Sequence, residues 1–171
     1  MRDKFPSKRG ALIAWAAAVA CGLGACTSLA PGGLPPGTPI AKARATLFGP
    51  TGEHALPDGG TRLEFAQGSF GKQTYMLDFN ADGVLVASSQ VLTTANFAAI
   101  TSGMSSVALK ARLGRPVYVF SVPRQKLHVW NYRYFEGDCQ WFQVSVDDAT
   151  QRVSEASYGY DPACDGPNSH D

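Results

Sequence analysis

The stretch GMSSVALKARLGRP (residues 103–116) contains the start, the apolar face and the end of one short helix. Ser105 is a favourable N-cap residue, because its hydroxyl can accept a hydrogen bond from a free amide of the first turn. Leu109 and Leu113 are four residues apart and therefore share one helical face. Gly114 is a typical stop signal. The stretch therefore predicts a helix with one buried face.

A related stretch, GTPIAKARATLFGP (residues 37–50), aligns with it without a gap at a shift of 66 positions. Four of the fourteen positions are identical. At a shift of 67, LEF (63–65) aligns with WNY (130–132), and YMLDF (75–79) aligns with FQVSV (142–146). Self-similarity at one period predicts two copies of a small structural unit.

Strand patterns follow the helix pattern in both copies. Apolar residues alternate with others in Tyr75, Leu77 and Phe79, which is typical of a strand with one buried face. The predicted strands are 61–66, 74–79, 84–92, 117–122, 127–135, 140–146 and 152–159, and a short helix is expected at 93–100. We therefore predict an α+β fold of two tandem units, 37–92 and 93–165, each with short helices packed on one face of an antiparallel β-sheet.

The chain begins with a predicted export signal. Residues 1–10 hold four basic side chains and one acidic one, and residues 11–20 are uncharged and apolar. This apolar run is too short to span a membrane. Leu23-Gly24-Ala25-Cys26 resembles the bacterial lipobox. The resemblance implies removal of residues 1–25, a thioether-linked diacylglycerol on Cys26 and acylation of the new amino terminus.

The residues after Cys26 bear on where such a protein would be placed. Thr27, and not Asp, follows the cysteine, so we expect the periplasmic face of the outer membrane. Residues 26–36 are rich in Pro and Gly and read as the lipidated cysteine with a flexible tether. The alternative is ordinary cleavage after an Ala-x-Ala motif such as 18–20, which would leave Cys21 and Cys26 in a secreted protein.

Charge and cysteine content restrict the possible partners. Residues 26–171 hold 11 Lys and Arg against 13 Asp and Glu, a balance that argues against nucleic acid as a partner. Cys139 and Cys164 are the two cysteines that remain after Cys26, and an oxidising periplasm favours a disulfide between them. The last residues, 166–171, are polar and are expected to form a disordered tail.

No pattern in the sequence demands an enzyme, a cofactor, a metal or a small-molecule substrate. The histidines, His54, His128 and His170, lack metal-ligand spacing. DFNADG (78–83) matches half of a calcium loop, but Ser89 stands where the bidentate Glu belongs, so we expect a hairpin turn. His128 has no carboxylate beside it in the sequence and is expected to be a packed or rim residue, not a base.

The helix stretch and the strands after it resemble one known family. Residues 103–116 resemble the G-M-T-x-x-x-V-x-x-x-L-G-x-P pattern of the BamE (SmpA/OmlA) outer-membrane assembly lipoproteins. The residues at the pattern positions are Gly103, Met104, Ser105, Leu109, Leu113, Gly114 and Pro116. The first copy matches faintly, since Phe48 replaces the glycine. Two such units look like a β-lactamase-inhibitor-protein-like fold, and the resemblance implies a role in outer-membrane protein assembly.

One aromatic face is the candidate binding surface. Trp130, Tyr132 and Tyr134 fall on the same face of the strand 127–135. If that face is uncovered, its large, stiff side chains would suit the binding of a partner protein. If the second unit or the disulfide loop covers it, the same residues are simply core.

Three functions therefore remain open. The first is a BamE-like binding or scaffold lipoprotein in outer-membrane protein assembly or envelope maintenance. Its expected partners are envelope proteins, with the barrel assembly machinery as one candidate, and the membrane through the lipid anchor. The second is a periplasmic proteinaceous inhibitor that grips an enzyme with a concave sheet. The third is an enzyme, for which the sequence offers no arrangement of nucleophile and base.

Overall fold

The computed structural model of the protein describes residues 31–46, 49–67 and 71–165. The signal segment predicted for 1–25, the lipidation site Cys26 and the tail predicted for 166–171 lie outside these ranges. Within them, no helix has the length and apolar character needed to cross a membrane.

The first half of the described chain forms one helix and one sheet. Its elements are α1 (Ile40–Thr46), β1 (Gly52–Ala55), β2 (Thr61–Gln67), β3 (Gln73–Phe79) and β4 (Leu85–Gln90). The four strands pair antiparallel in the order β1-β2-β3-β4, so each strand lies beside its neighbour in sequence. Leu63 of β2 faces Leu77 of β3, which places both leucines on the buried side of the sheet.

The second half repeats this succession after one additional helix. Its elements are α2 (Thr94–Phe97), α3 (Ser106–Leu113), β5 (Tyr118–Val122), β6 (Leu127–Arg133), β7 (Gln140–Asp147) and β8 (Val153–Tyr160). The strands again form an antiparallel sheet in chain order, β5-β6-β7-β8. In both sheets the first and last strands are edges.

The helix boundaries follow the capping residues. Ser105 Oγ accepts a hydrogen bond from the amide of Ala108 at 3.1 Å, and Thr93 Oγ1 accepts one from Asn96 in the same way. Gly114 ends α3 with φ of 77°, a value that side-chain-bearing residues rarely adopt. These local signals set where each helix begins and ends.

The predicted fold class, α+β with two tandem units of short helices packed on one face of a sheet, is wrong. The described residues are mostly β, with two four-stranded antiparallel sheets and α-helices of only seven, four and eight residues. Since a helix rises 1.5 Å per residue, α3 spans about 12 Å, half the length of an eight-residue strand. Capping signals locate a helix, but helices this short do not form a layer over a sheet.

Each sheet has its own buried cluster, and one residue of the first sheet belongs to the cluster of the second. The smaller one consists of Ala43, Leu63, Phe65, Leu77, Phe79 and Leu85. The larger one contains side chains of β6, β7 and β8 together with Phe97 of α2, and Leu109 and Leu113 of α3. Met76 of β3 belongs to this larger cluster, so a residue of the first sheet helps to fill the core of the second.

Candidate functional site

The three aromatic residues singled out in the sequence lie in the core. Trp130, Tyr132 and Tyr134 are exposed to 8%, 1% and 3%, and all three belong to the larger buried cluster. Phe97 of α2 packs edge-on against Tyr134, with ring centroids 5.1 Å apart. Their shared face is therefore covered, and Tyr132 and Tyr134 are core residues, not surface available to a partner.

The cysteines of the second half lie close together. Cys139 and Cys164 are at disulfide distance, with Cα atoms 5.5 Å apart. The pair links the β6–β7 connection to the segment after β8. Cys26, the predicted lipidation site, lies outside the described residues.

Three consecutive exposed apolar residues lie on β5. Tyr118, Val119 and Phe120 are exposed to 55%, 42% and 36%, although they are consecutive and so point to both faces of the sheet. Among the described residues, β6 is the only strand that pairs with β5. One side of β5 therefore presents unpaired amides and carbonyls beside exposed aromatic rings, the arrangement of an edge open to strand addition.

The other described edge strands lack this combination. β1 has only four residues, and its Glu53 forms an ion pair with Arg44 at 2.6 Å. On β4 the residues at 87–89 are Ala, Ser and Ser. On β8 the two exposed tyrosines, Tyr158 and Tyr160, are separated by a glycine. Of the four edges, β5 alone exposes three large apolar residues in succession.

A cleft of about 660 Å³ opens on one side of β5. Val117, the residue before β5, and Val119 of β5 line this cleft. Thr74 of β3 lines it as well. Two basic residues, Lys110 and Arg115, line it, and no acidic residue is among the described residues that do. We call this space the basic cleft.

The tryptophan of the predicted aromatic face reaches this cleft. Trp130 pairs with Val119 across the β5–β6 ladder and lines the basic cleft, even though most of its surface is buried. The Lys110 ammonium lies 5.0 Å from the centroid of the Trp130 ring, within the range of a cation–π contact. Trp130 therefore forms part of the cleft wall and also part of the core.

A second cleft of about 410 Å³ lies on the opposite face of the same strand. It is lined by Val117, Tyr118, Arg133, Trp141, Pro162 and Ala163. The Tyr118 and Trp141 rings meet edge to face, with centroids 6.1 Å apart, and Phe120 continues the cluster. We call this space the aromatic cleft.

The arginine of the aromatic cleft is already paired. Arg133 donates two hydrogen bonds to the Asp161 carboxylate, at 2.6 and 3.0 Å, and its guanidinium lies over Trp141. The hydrogen bond to Asp161 raises the pKa of Arg133. Burial opposes ionisation of Asp161, but the hydrogen bonds from Arg133 and from the Ala163 amide lower its pKa overall. The charges in this cleft therefore balance.

The turn that leads into β5 is fixed from both sheets. Glu64 of β2 is buried and accepts hydrogen bonds from the Arg115 amide at 2.9 Å and from the Thr51 hydroxyl at 2.8 Å. From the other side, the Tyr132 hydroxyl donates to the Gly114 carbonyl at 3.2 Å. Burial, together with the charge of Glu64, raises the pKa of Tyr132, so this hydroxyl stays protonated. These contacts set the position of Arg115 at the basic cleft.

A further side chain joins the first sheet to α3. Arg62 forms a bidentate ion pair with Asp78, at 2.6 and 2.7 Å, and donates from Nη1 to the Ala111 carbonyl in the last turn of α3. The hydrogen bond to Asp78 raises the pKa of Arg62. A permanently charged guanidinium is favourable at the C-terminal end of a helix.

Charge is distributed unevenly around β5. Residues 83–135 contain six Lys and Arg and no Asp or Glu, whereas the remainder of 26–171 contains five and thirteen. Arg124 and Lys126 follow β5 directly, so basic side chains flank it at both ends. This asymmetry is visible in the sequence, although the near-neutral total hides it.

One histidine has a partner that the sequence did not reveal. His128 of β6 contacts the Asp148 carboxylate, because the turn after β7 brings the two together, and both side chains are well exposed. In the described part of the chain, no hydroxyl or thiol side chain is hydrogen-bonded to either residue. Over the same residues, no group of three or more His, Cys, Asp or Glu is placed to hold a metal ion.

Comparison with known proteins gives no match, either to a family model, to a curated protein or to a solved structure.

Proposed function

We propose that the protein is a lipid-anchored lipoprotein of the outer membrane that binds or scaffolds other envelope proteins from the periplasmic face, as the BamE-like resemblance implies. In this proposal it has no catalytic activity of its own. The partner binds along the free edge of β5, with components of the barrel assembly machinery as one candidate.

The edge strand itself is the observation that carries the proposal. Monomeric proteins normally shorten, charge or cover their edge strands, because an open apolar edge invites pairing with another chain. β1 follows this rule with four residues and the charged Glu53, and β4 presents small and polar side chains at 87–89, whereas β5 exposes Tyr118, Val119 and Phe120. Aromatic residues at the centre of an interface commonly contribute most of the binding energy. An edge of this kind is expected where a partner supplies the missing strand.

The lipid anchor is supported by the sequence around Cys26. Several acyl chains hold a protein to a bilayer far more firmly than one chain does. We expect Cys26→Ser to release the protein from membranes or to stall it with its signal segment attached. Membrane fractionation and intact-mass measurement provide the test. Unchanged attachment together with unchanged mass would contradict the anchor.

The binding edge is tested by affinity capture from membranes. We expect Phe120→Lys to reduce partner capture by about tenfold or more, because a lysine at an edge opposes strand addition. Val86→Lys is the matched control, since Val86 is also an exposed apolar residue on an edge strand. Equal capture by the two variants would refute the assignment to β5. Capture of a hydrolase in place of assembly proteins would favour the inhibitor function.

A further inference from the structure

The two clefts beside β5 differ in chemistry although they share a wall. Val117 and Tyr118 line both. The basic cleft carries Lys110 and Arg115 as its charged residues, and the aromatic cleft carries the Tyr118–Trp141 contact. A ligand lying along β5 would therefore meet cations on one side and aromatic rings on the other.

The geometry of strand addition turns this difference into a sequence preference. Successive side chains of an extended segment point to opposite faces, with a period of two. If such a segment pairs with β5, every second side chain lies on the face of Val119 and Trp130, which leads to the basic cleft. The intervening side chains lie on the face of Phe120 and Trp141, which leads to the aromatic cleft.

The cations of the basic cleft are available to a partner. The side chains of Lys110 and Arg115 are exposed, and neither forms an ion pair among the described contacts. Glu64 is buried and accepts hydrogen bonds from the backbone amide of Arg115 and from the Thr51 hydroxyl, not from the Arg115 guanidinium. Three more basic residues between 83 and 135, Arg112, Arg124 and Lys126, add to the positive field.

The aromatic cleft favours a different side chain. Its one cation, Arg133, is neutralised by Asp161. A charged group placed there would lose hydration without gaining an unpaired partner. An apolar side chain would instead cover the exposed parts of Tyr118 and Phe120 and gain the corresponding hydrophobic stabilisation.

We infer that the partner segment recognised by β5 is an extended peptide in which acidic and apolar residues alternate, with the acidic side chains in the basic cleft and the apolar ones in the aromatic cleft. This inference rests on the proposed function and deepens it, because it names the class of sequence that the edge selects.

Three synthetic eight-residue peptides test the pattern against the purified full-length protein in detergent. The first alternates Glu and Val, the second has the same composition in two blocks, and the third alternates Lys and Val. Each carries a fluorescein label at nanomolar concentration, and binding is followed by fluorescence anisotropy. We expect the first to bind at least about tenfold more tightly than the other two, with an affinity that falls as salt is added.

Charge-reversal variants in and near α3 test where the acidic peptide binds. Lys110→Glu is expected to weaken binding of the acidic alternating peptide by about fivefold, because one ion pair is lost. Arg112→Glu is the matched control, because Arg112 is an exposed cation of the same helix that does not line the cleft. Arg115→Glu provides a second variant at the cleft. Circular dichroism establishes that all three variants are folded.

Each other outcome overturns the inference in a distinct way. Equal binding of the acidic and basic alternating peptides would show that the edge has no preference for acidic side chains. Equal binding of the block peptide would show that alternation of acidic and apolar residues is not recognised. Absence of any binding, or a dimer of the protein that Phe120→Lys dissociates, also overturns it. Capture from membranes that still depends on Phe120 would leave the proposed function standing in every one of these cases.

Discussion

β1 and β5 occupy corresponding places in the two halves of the molecule, yet their surfaces are opposite in character. Each follows a helix, and each is the first edge of a four-stranded sheet. β1 has the sequence GEHA and is held by the Arg44–Glu53 ion pair, whereas β5 has the sequence YVFSV with exposed rings.

This difference shows that the fold does not require an apolar edge at this place. The first sheet completes itself with a short polar strand, so the rings of β5 are not needed merely to close a sheet of this topology. The exposed rings of Tyr118 and Phe120 form the kind of apolar surface that the proposed function assigns to partner binding. Substitutions in the two halves of the molecule test what this difference means.

The largest expected effect is at a core position that differs between the halves. Leu109 in α3 corresponds to Ala43 in α1 at the shift of 66, and both are fully buried. We expect Leu109→Ala to lower the free energy of unfolding by about 2–5 kcal/mol, because it removes packed methyl groups and leaves a cavity. Urea denaturation measures it. A loss below about 1 kcal/mol would contradict close packing of the Leu109 side chain in the core.

The disulfide is the second difference, since only the second half of the described chain contains one. The loop between Cys139 and Cys164 spans 25 positions. Its closure restricts the unfolded chain, and the double variant Cys139→Ser, Cys164→Ser should lose about 3 kcal/mol. Denaturation of wild type with and without reductant gives an independent value. Two free thiols in the unreduced, denatured protein would contradict the cross-link.

The glycines at the helix exits provide the third comparison. Gly114 and Gly49 both have positive φ, but a Cβ on Gly114 would lie 2.7 Å from Thr74 Cγ2, whereas no atom of the described residues lies within 4 Å of one on Gly49. We expect Gly114→Ala to cost about 2–3 kcal/mol, from backbone strain plus overpacking. Gly49→Ala carries the strain alone, about 1 kcal/mol. Equal losses, measured by thermal unfolding, would show that the Thr74 contact relaxes.

Acid titration tests the contribution of the Arg133–Asp161 ion pair in the aromatic cleft to stability. Because the pKa of Asp161 is lowered in the folded protein, its stabilisation is present above the unfolded value of about 4 and is lost as the pH falls through the folded value. Asp161→Asn should cost about 1–2 kcal/mol at pH 5. Between pH 5 and pH 2, this variant should lose less stability than wild type. Parallel losses would contradict the lowered pKa.

Most strands and helix starts could be predicted from local sequence. Alternation indicated β3 and β7, and Ser105 indicated the start of α3. β1 was missed, because GEHA has neither alternation nor β-branched residues. The fold class was wrong, because the capping pattern fixes the ends of a helix but not its share of a packed layer.

The candidate site depends on pairing that is distant in sequence. The strand at 117–122 was predicted, but whether it lies at an edge is decided by which strands pair with it. Likewise, Trp130 and Tyr132 alternate as surface residues could, and only the position of α2 and α3 shows that they are core. The acid-free run from 83 to 135 was a signal available in the sequence, and it marks the basic cleft.

Substitutions on β5 are expected to change the free energy of unfolding least and partner capture most. The variant Tyr118→Thr, Phe120→Thr makes the edge polar and keeps the strand preference, so the free energy of unfolding should change by less than about 1 kcal/mol. Tyr160→Thr is the control, because Tyr160 is exposed to 59% on the opposite edge of the same sheet and, unlike Tyr158, has no ring contact with Phe97 or Phe142 among the described residues. Partner capture should fall for the β5 variant only. A loss of stability above about 2 kcal/mol would instead assign Tyr118 and Phe120 to structural packing around Trp141, and the contrast between β5 and β1 would then reflect folding and not recognition.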